Sequence, residues 1–413
     1  MIFSNPSMFS SDQLAIRACY MRGGTSKGIF FLADDLPSDP VFRDQILLRV
    51  MGSPDAYGKQ IDGMGAATSS TSKVVIISKS NRPDCDVDYL FGQVSVQEPA
   101  IDWSGNCGNL TAAVGPFAIH RGLVTTNTIT NSIVSVRIWQ ANIGKFIVSH
   151  VPVREGQVIE DGDFELDGVT FPAAEIRLEF LDPSGSGEQG LLPTGNLIDI
   201  LHVPGIGPVQ ATLITAGNPT VVIDASVLGL MGTEMQVDFN GNTELLKRCE
   251  KIRACASVTM GLAINIDQAT TSRPATPKLV FISRPKEYKS SAGKIVYPDD
   301  IDLTVRILSM GALHHALTGT GAIALAVAAA LPGTLVHNCI TNRQHKASSF
   351  NAEEVRLGHP SGVLTVGAVA VINNGQWQVT KAVVSRSARR LMDGHVFIPT
   401  RYGNPPLLQG TQK

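Results

Sequence analysis

Residues 105–109, Gly105-Asn106-Cys107-Gly108-Asn109, lead into the apolar run Leu110-Thr111-Ala112-Ala113-Val114-Gly115-Pro116-Phe117-Ala118-Ile119. The run predicts a helix, so a lone thiol is expected where a helix presents unpaired N–H groups. Those donors and the partial positive charge of a first turn attract carboxylate or phosphate, and such a place favours the ionised form of a thiol. Flanking glycines let a ligand come close to the backbone. Taken alone, the pentapeptide fits turn and N-cap chemistry around a buried cysteine equally well. A second segment of the same design shifts the balance: Leu317-Thr318-Gly319-Thr320-Gly321-Ala322 runs into Ile323-Ala324-Leu325-Ala326-Val327-Ala328-Ala329-Ala330-Leu331. Two Gly-flanked helix starts far apart in one chain predict a duplicated unit.

The elements that must position these starts are mostly strands. Short β-favouring runs separated by Gly, Pro, Asn and Asp turns cover 16–21, 28–32, 73–78, 87–96, 133–140 and 144–153, then 164–169 and 174–180. The polar stretch 182–190, Asp-Pro-Ser-Gly-Ser-Gly-Glu-Gln-Gly, is the expected junction between domains. Strands are expected again at 210–214, 220–224, 278–282, 362–372 and 377–385, with helices at 243–260 and from Leu303 onward. A helix that is apolar on all faces is expected inside a domain. The simplest architecture is α+β: two β-sheets, each curled around its own helix, with both helix N-termini facing a cleft. The expected domains are 1–190 and 191–385, with 386–413 returning to the first. Ligands favour such interfaces.

Composition bounds the function. The chain has 413 residues, 43% hydrophobic and 17% charged, with a formal net charge of −2, an ordinary globular mixture long enough for roughly two to three domains. It offers no basic field for nucleic acid. The start lacks a signal-peptide pattern and the most apolar stretch, 321–331, is too short to cross a bilayer, so a cytoplasmic protein without membrane contact is expected. Six cysteines without a Cys-x-x-Cys pair argue against a disulfide framework and against zinc. The adjacent His314 and His315 cannot make an i, i+4 metal pair and read as core or surface histidines, as does His359. Neither Ser69-Ser70 nor Ser184-Gly185-Ser186-Gly187 forms a nucleophile elbow, and Gly319-Thr320-Gly321 lacks the third glycine of a dinucleotide fingerprint.

Several motifs in order then carry a resemblance: Tyr20-Met21-Arg22-Gly23-Gly24-Thr25-Ser26-Lys27-Gly28, Gln60-Ile61-Asp62-Gly63-Met64-Gly65, Thr68-Ser69-Ser70-Thr71-Ser72-Lys73, Asp102-Trp103-Ser104-Gly105-Asn106-Cys107-Gly108-Asn109, Gly217-Asn218-Pro219, Leu308-Ser309-Met310-Gly311 and Ser385-Arg386-Ser387-Ala388-Arg389. Over nearly its whole length the chain resembles the PrpF-type 2-methylaconitate cis-trans isomerases of the diaminopimelate epimerase-like superfamily. The resemblance implies two similar domains with a central helix each, and a site between them that needs no cofactor and no metal. It implies small unsaturated tricarboxylates as substrates, propionate breakdown through the methylcitrate cycle, and an aconitase-like dehydratase as functional partner; a second copy in a homodimer completes the expected partners. One departure matters. Where the amino-acid epimerases of the superfamily carry a second cysteine, this chain has Thr318, whose hydroxyl cannot replace a thiolate, so the two-thiol racemisation is disfavoured. Methylitaconate and oxalomesaconate isomerases share much of the pattern, and a non-catalytic accessory of the dehydratase would use the same fold.

Isomerising an aconitate-type acid requires a proton to leave a carbon near a carboxylate, with charge spreading through the conjugated system. Backbone N–H groups of Asn106, Cys107, Gly108 and Asn109 on one side, and of Thr318, Gly319, Thr320 and Gly321 on the other, are expected to hold that charge as an oxyanion hole does. Side chains of Ser26, Ser72, Asn106, Asn109, Asn218, Ser309 and Thr320 add donors, and Met310 lies within a matching motif. Lys73 ends a Thr/Ser run and enters the apolar Val74-Val75-Ile76-Ile77, where desolvation favours the neutral amine. From the residues alone an exposed strand-end lysine is the simpler reading; the motif makes Lys73 the expected base. Cys107 is expected to act as acid or base opposite it, or as a positioning donor. Arg22, Lys27 and Lys278 are candidate carboxylate clamps, with ordinary salt bridging as the alternative. Arg386 and Arg389 are assigned to structure.

Overall fold

The computed structural model describes residues 12–126, 130–183, 190–341, 351–373 and 376–402. The expected junction at 182–190 falls largely on 184–189, outside the described residues. Nearly all strands join one mixed sheet, and its order exposes a repeat. Across the first half the principal strands lie in the order Ala388–Pro399, Gln13–Gly23, Ser26–Leu32, Lys73–Lys79, Val87–Val94, Asn131–Gln140, Lys145–Arg154, Ile176–Leu181. Across the second the order is Asp199–Val203, Gly207–Ala216, Asn218–Asp224, Lys278–Ser283, Leu303–Ser309, Asn351–His359, Gly362–Asn373, Gln376–Arg386. Both rows pair in the same sequence of senses: antiparallel, antiparallel, parallel, antiparallel, parallel, antiparallel, antiparallel. The rows meet where Gln376–Arg386 pairs with Ile176–Leu181, so the expected two sheets are one continuous surface curled twice.

Each curl encloses one helix. Thr111–His120 and Gly319–Ala330 have buried side chains on every face but for the last residue of the first, as all-round apolar sequence dictates. Small residues let the strands approach. A Cβ on Gly115 would stand 2.7 Å from Val151 and 2.8 Å from Ser149, both on one enclosing strand. The helices contribute to one core cluster that spans both halves, including Phe117, Val151, Ile323 and Val366. Outside it, Pro40–Met51 packs on the first half and Thr243–Thr259 on the second.

Three expectations need correction. Leu303–Ser309 is a strand, not the start of a helix: Thr304, Val305 and Ile307 are β-branched and the segment is buried on both faces. The turn at Met310 and Gly311, both left-handed at φ 53° and 74°, ends it, and the helix begins at Gly319. Residues 164–169 form turns with a single bridge between Phe164 and Ala173 rather than a strand. Ala388–Pro399 was not expected as a strand; as an edge with mostly exposed side chains, it carries weak hydrophobic alternation.

Candidate active site

Because the halves repeat, residues at matching positions arrive at one place. Lys73 and Lys278 each begin the strand that lies parallel to its neighbour, beside Ser26–Leu32 and Asn218–Asp224 respectively. Cys107-Gly108-Asn109 lie in the turn that leads into the helix Thr111–His120, with Thr111 N donating to the Cys107 carbonyl, and Thr318-Gly319-Thr320 open the helix Gly319–Ala330. The two starts touch. A Cβ on Gly108 would lie 2.7 Å from the backbone of Gly319 and Thr320, and one on Gly319 would lie 2.4 Å from that of Gly108, so glycine is required at this crossing. Asn218 bolts it together: its Oδ1 accepts from the Asn106 N–H at 2.8 Å, and its Nδ2 donates to the Asn106 carbonyl at 2.9 Å and to Thr320 Oγ1 at 3.1 Å.

Around the crossing lies a narrow cavity of about 30 Å³, lined from both halves. Lys73 enters it 6% exposed, its Nζ donating to Gln93 Oε1 at 2.6 Å and lying 4.9 Å from the centre of the Phe91 ring. Gln93 Nε2 is itself fixed on the Ser72 carbonyl at 2.9 Å, which aims the oxygen at the amine. Burial pushes the Lys73 pKa below the usual lysine range, with the nearby Cys107 thiol pulling the other way. Lys278 Nζ donates to Ser309 Oγ at 3.0 Å. Burial first, and the Lys73 charge second, push its pKa down to about 7, against Asp102 and Cys107. Two buried amines thus repel across one small space, which favours sharing fewer than two protons.

The helix starts differ in chemistry. Cys107 Sγ accepts the Leu110 N–H at 3.4 Å, while its carbonyl accepts from Thr111 N at 3.0 Å and Thr111 Oγ1 at 2.9 Å. Thr318 spends its hydroxyl as the N-cap, accepting from Gly321 N at 3.2 Å. Asn106 is the outlier among these polar groups: its residue is 4% exposed and lines the cavity, yet neither side-chain Nδ2 nor Oδ1 has a hydrogen-bond partner among the described residues. Leaving a buried amide unpaired costs about 1–3 kcal/mol, so this amide suits a polar ligand. Asn109 is used internally, donating to Thr25 Oγ1 at 3.0 Å and accepting from Arg386 Nε at 3.1 Å.

Of the residues expected at the site, the cavity collects Lys73, Cys107, Ser26, Asn106, Gly108, Asn109, Asn218, Lys278, Ser309, Gly319 and Thr320. It does not collect four others. Arg22 and Lys27 line an adjoining open groove that shares Ser26; Arg22 is tied to the Gly24 and Ser387 carbonyls at 3.1 and 3.0 Å, and Lys27 lies 5.5 Å from the Tyr20 ring centre. Met310 is turned by its left-handed backbone into a separate recess beside Arg253. Ser72 takes the Gln60 amide at 2.8 Å and acts through its carbonyl on Gln93. Arg386, expected to serve structure, does not line the cavity and sits fully buried against Asn109, its pKa pushed down to about 10 by burial. Sequence reasoning missed Gln93, Asp102, Thr276 and His314. Asp102 ties the halves, accepting from Ser104 N at 2.8 Å and from Ala275 N at 3.2 Å, and its place in the motif ahead of Cys107 was the signal available. Among the described residues no group of three His, Cys, Asp or Glu is placed to hold a metal, and no helix is long and apolar enough to cross a membrane.

Known proteins are similar to this chain over nearly its whole length. A 2-methyl-aconitate isomerase of Shewanella oneidensis is 57% identical over 395 residues, 94% of this chain and 98% of that one. One of Cupriavidus necator is 55% identical over the same shares, and a 3-methylitaconate isomerase of Eubacterium barkeri is 38% identical over 94% and 98%. The crystal structure of a methylitaconate-delta-isomerase superposes with a TM-score of 0.74 at 36% identity, covering 97% of this chain and 100% of that one. A probable proline racemase from Agrobacterium radiobacter K84, 13% identical with 92% of each chain covered, has a TM-score of 0.51 and shares the fold. The PrpF protein family model matches residues 13–399, and the chain belongs to that family.

Proposed function

We propose that the chain is an isomerase of small unsaturated tricarboxylates, acting on 2-methylaconitate by cis-trans or double-bond isomerisation without a cofactor. The relatives at 55–57% identity support the choice of acid. The observation that carries the chemistry is the pair of buried amines beside two touching helix N-termini, with an unpartnered Asn106 amide between them. In this reading Lys73, its pKa lowered by burial, acts in its neutral form and takes a proton from a carbon conjugated with a carboxylate. The C–H electron pair enters the conjugated system as a dienolate, whose bonds can rotate or shift. Lys278 as ammonium and the N–H groups of Cys107, Gly108, Asn109, Gly319 and Thr320 hold the carboxylates and the developing charge, whereas the Asn106 and Gly321 N–H groups, expected to join them, are spent on Asn218 Oδ1 and Thr318 Oγ1. Lys73 or Cys107 then returns a proton to carbon, so no atom is gained or lost.

The same reading makes the protein a cytoplasmic homodimer in propionate breakdown, using acid released by an aconitase-like 2-methylcitrate dehydratase. Incubation of 2-methylaconitate in deuterated water tests the reaction. Label should enter recovered substrate and product at a rate that tracks isomerisation; substrate recovered unchanged and unlabelled over many hours would leave only a binding role.

A further inference from the structure

His314 faces the same cavity and takes no part in the proton transfer above. Its main chain is held, because its N–H donates to the Ile307 carbonyl at 2.9 Å just beyond the short strand Ala312–Leu313. Its ring is held as well. It stacks on His315 with centroids 4.6 Å apart and planes at 26°, and the Ala316 N–H donates to its Nδ1 at 3.1 Å.

That last bond fixes the tautomer. A backbone N–H can only give a proton, so Nδ1 must present a lone pair and the single proton of the neutral ring sits on Nε2. Nε2 makes no hydrogen bond to any described residue, although His314 is only 4% exposed. The partner available to it is whatever fills the cavity. Burial first, then His315, Lys73 and Lys278, push its pKa well below the ordinary histidine value, with only the Ala316 backbone pulling the other way.

We propose that His314 is a further catalytic group, whose Nε2–H donates to an oxygen of the bound tricarboxylate and strengthens that bond as the dienolate forms. A neutral N–H donor stabilises the anion without competing with Lys73 or Cys107 as a proton source, since no bond at His314 is made or broken. This rests on the proposed isomerase reading.

The test compares His314→Phe, which keeps a stacking ring and loses the donor, with His314→Gln, whose amide restores an N–H near the place of Nε2. Removing one donor of this kind costs about 10²-fold in kcat. The expected result is that loss for H314F with KM little changed, and recovery to within about tenfold of wild type for H314Q. Equal impairment of both variants means a packing role and overturns the proposal, as does H314F turning over at the wild-type rate. Nitrogen NMR of ¹⁵N-histidine-labelled wild type decides independently of any variant's folding. One ring should show protonated Nε2 and bare Nδ1 throughout pH 6–8, and its Nε2 signal should move when trans-aconitate is added; a ring that titrates or ignores the ligand sinks the idea. If wild type itself isomerises no aconitate-type acid, the reaction reading fails, and the ligand response of Nε2 still judges His314.

Discussion

The two halves present matching backbones and unlike chemistry at the place where they meet. On the first side a buried lysine is held by an amide oxygen, Gln93 Oε1, beside a thiol; on the second a buried lysine is held by a hydroxyl, Ser309 Oγ, beside a threonine already committed as an N-cap. A carbonyl oxygen only accepts, so Gln93 leaves the Lys73 amine no donor to lean on and directs its lone pair only when a proton is lost. Ser309 can both give and accept, and suits a group that stays in place while its charge changes. The repeat supplies two helix N-termini, and in the proposed reading proton chemistry belongs to one of them.

The strongest way to break this comparison is to truncate each lysine in turn. Lys73→Ala should lower kcat by about 10³-fold or more, within the range of a lost general base, with KM little changed. Lys278→Ala should instead raise KM and cost less in kcat, because a carboxylate clamp acts on bound substrate and transition state alike. Steady-state kinetics separate the two patterns. If the variants behave alike, the halves share the chemistry and the asymmetry argued here is wrong.

A smaller effect sharpens it. Cys107→Ser preserves an acceptor for the Leu110 N–H and removes the acidic thiol, so a loss of about 10²-fold in kcat is expected if the thiol moves a proton. Moving the thiol across, as Cys107→Ser with Thr318→Cys, should not rescue it, because Lys73 stands on the first side. The double variant recovering wild-type turnover would show the sides to be interchangeable. Its Thr318 substitution also removes a favourable cap, at about 1 kcal/mol of stability, so thermal unfolding is measured alongside.

Much of this was legible in the sequence because it is written in local residue types. The Gly-flanked starts at Cys107 and Thr318, the all-apolar helices and most strands follow from turn chemistry and periodicity. What failed to show is what depends on pairing across the sheet. Gln93 is an unremarkable residue near a strand end until the ladder sets it opposite Lys73. The strand Leu303–Ser309 hides because burial on both faces erases its alternation, and even Arg306 within it is buried, donating to the Glu234 carbonyl at 2.6 Å. Arg22 and Lys27 looked like clamps because charge is visible in a sequence and direction is not; two neighbouring carbonyls and one tyrosine ring turn them aside. His314 reads in the sequence as a core or surface histidine, and the hydrogen bond that frees its Nε2 belongs to a backbone turn no composition rule reports.

The mildest test reads protons rather than rate. The Lys278 pKa of about 7 lies below its unfolded value, so above pH 7 the free enzyme holds this amine mostly neutral. A tricarboxylate favours the ammonium form and raises that pKa on binding, so trans-aconitate must bring a proton with it. Affinity should therefore be level below pH 7 and fall by up to about tenfold per pH unit above it, and calorimetry in buffers of different ionisation enthalpy should record uptake approaching one proton at pH 8–9. Lys278→Gln should abolish the step. Lys73→Gln should keep it and move it upward, since the Lys73 charge is the second cause of the depression after burial. Were the step to vanish with Lys73→Gln and survive Lys278→Gln, the titrating amine would lie on the first side and the roles assigned to the two halves would have to be exchanged.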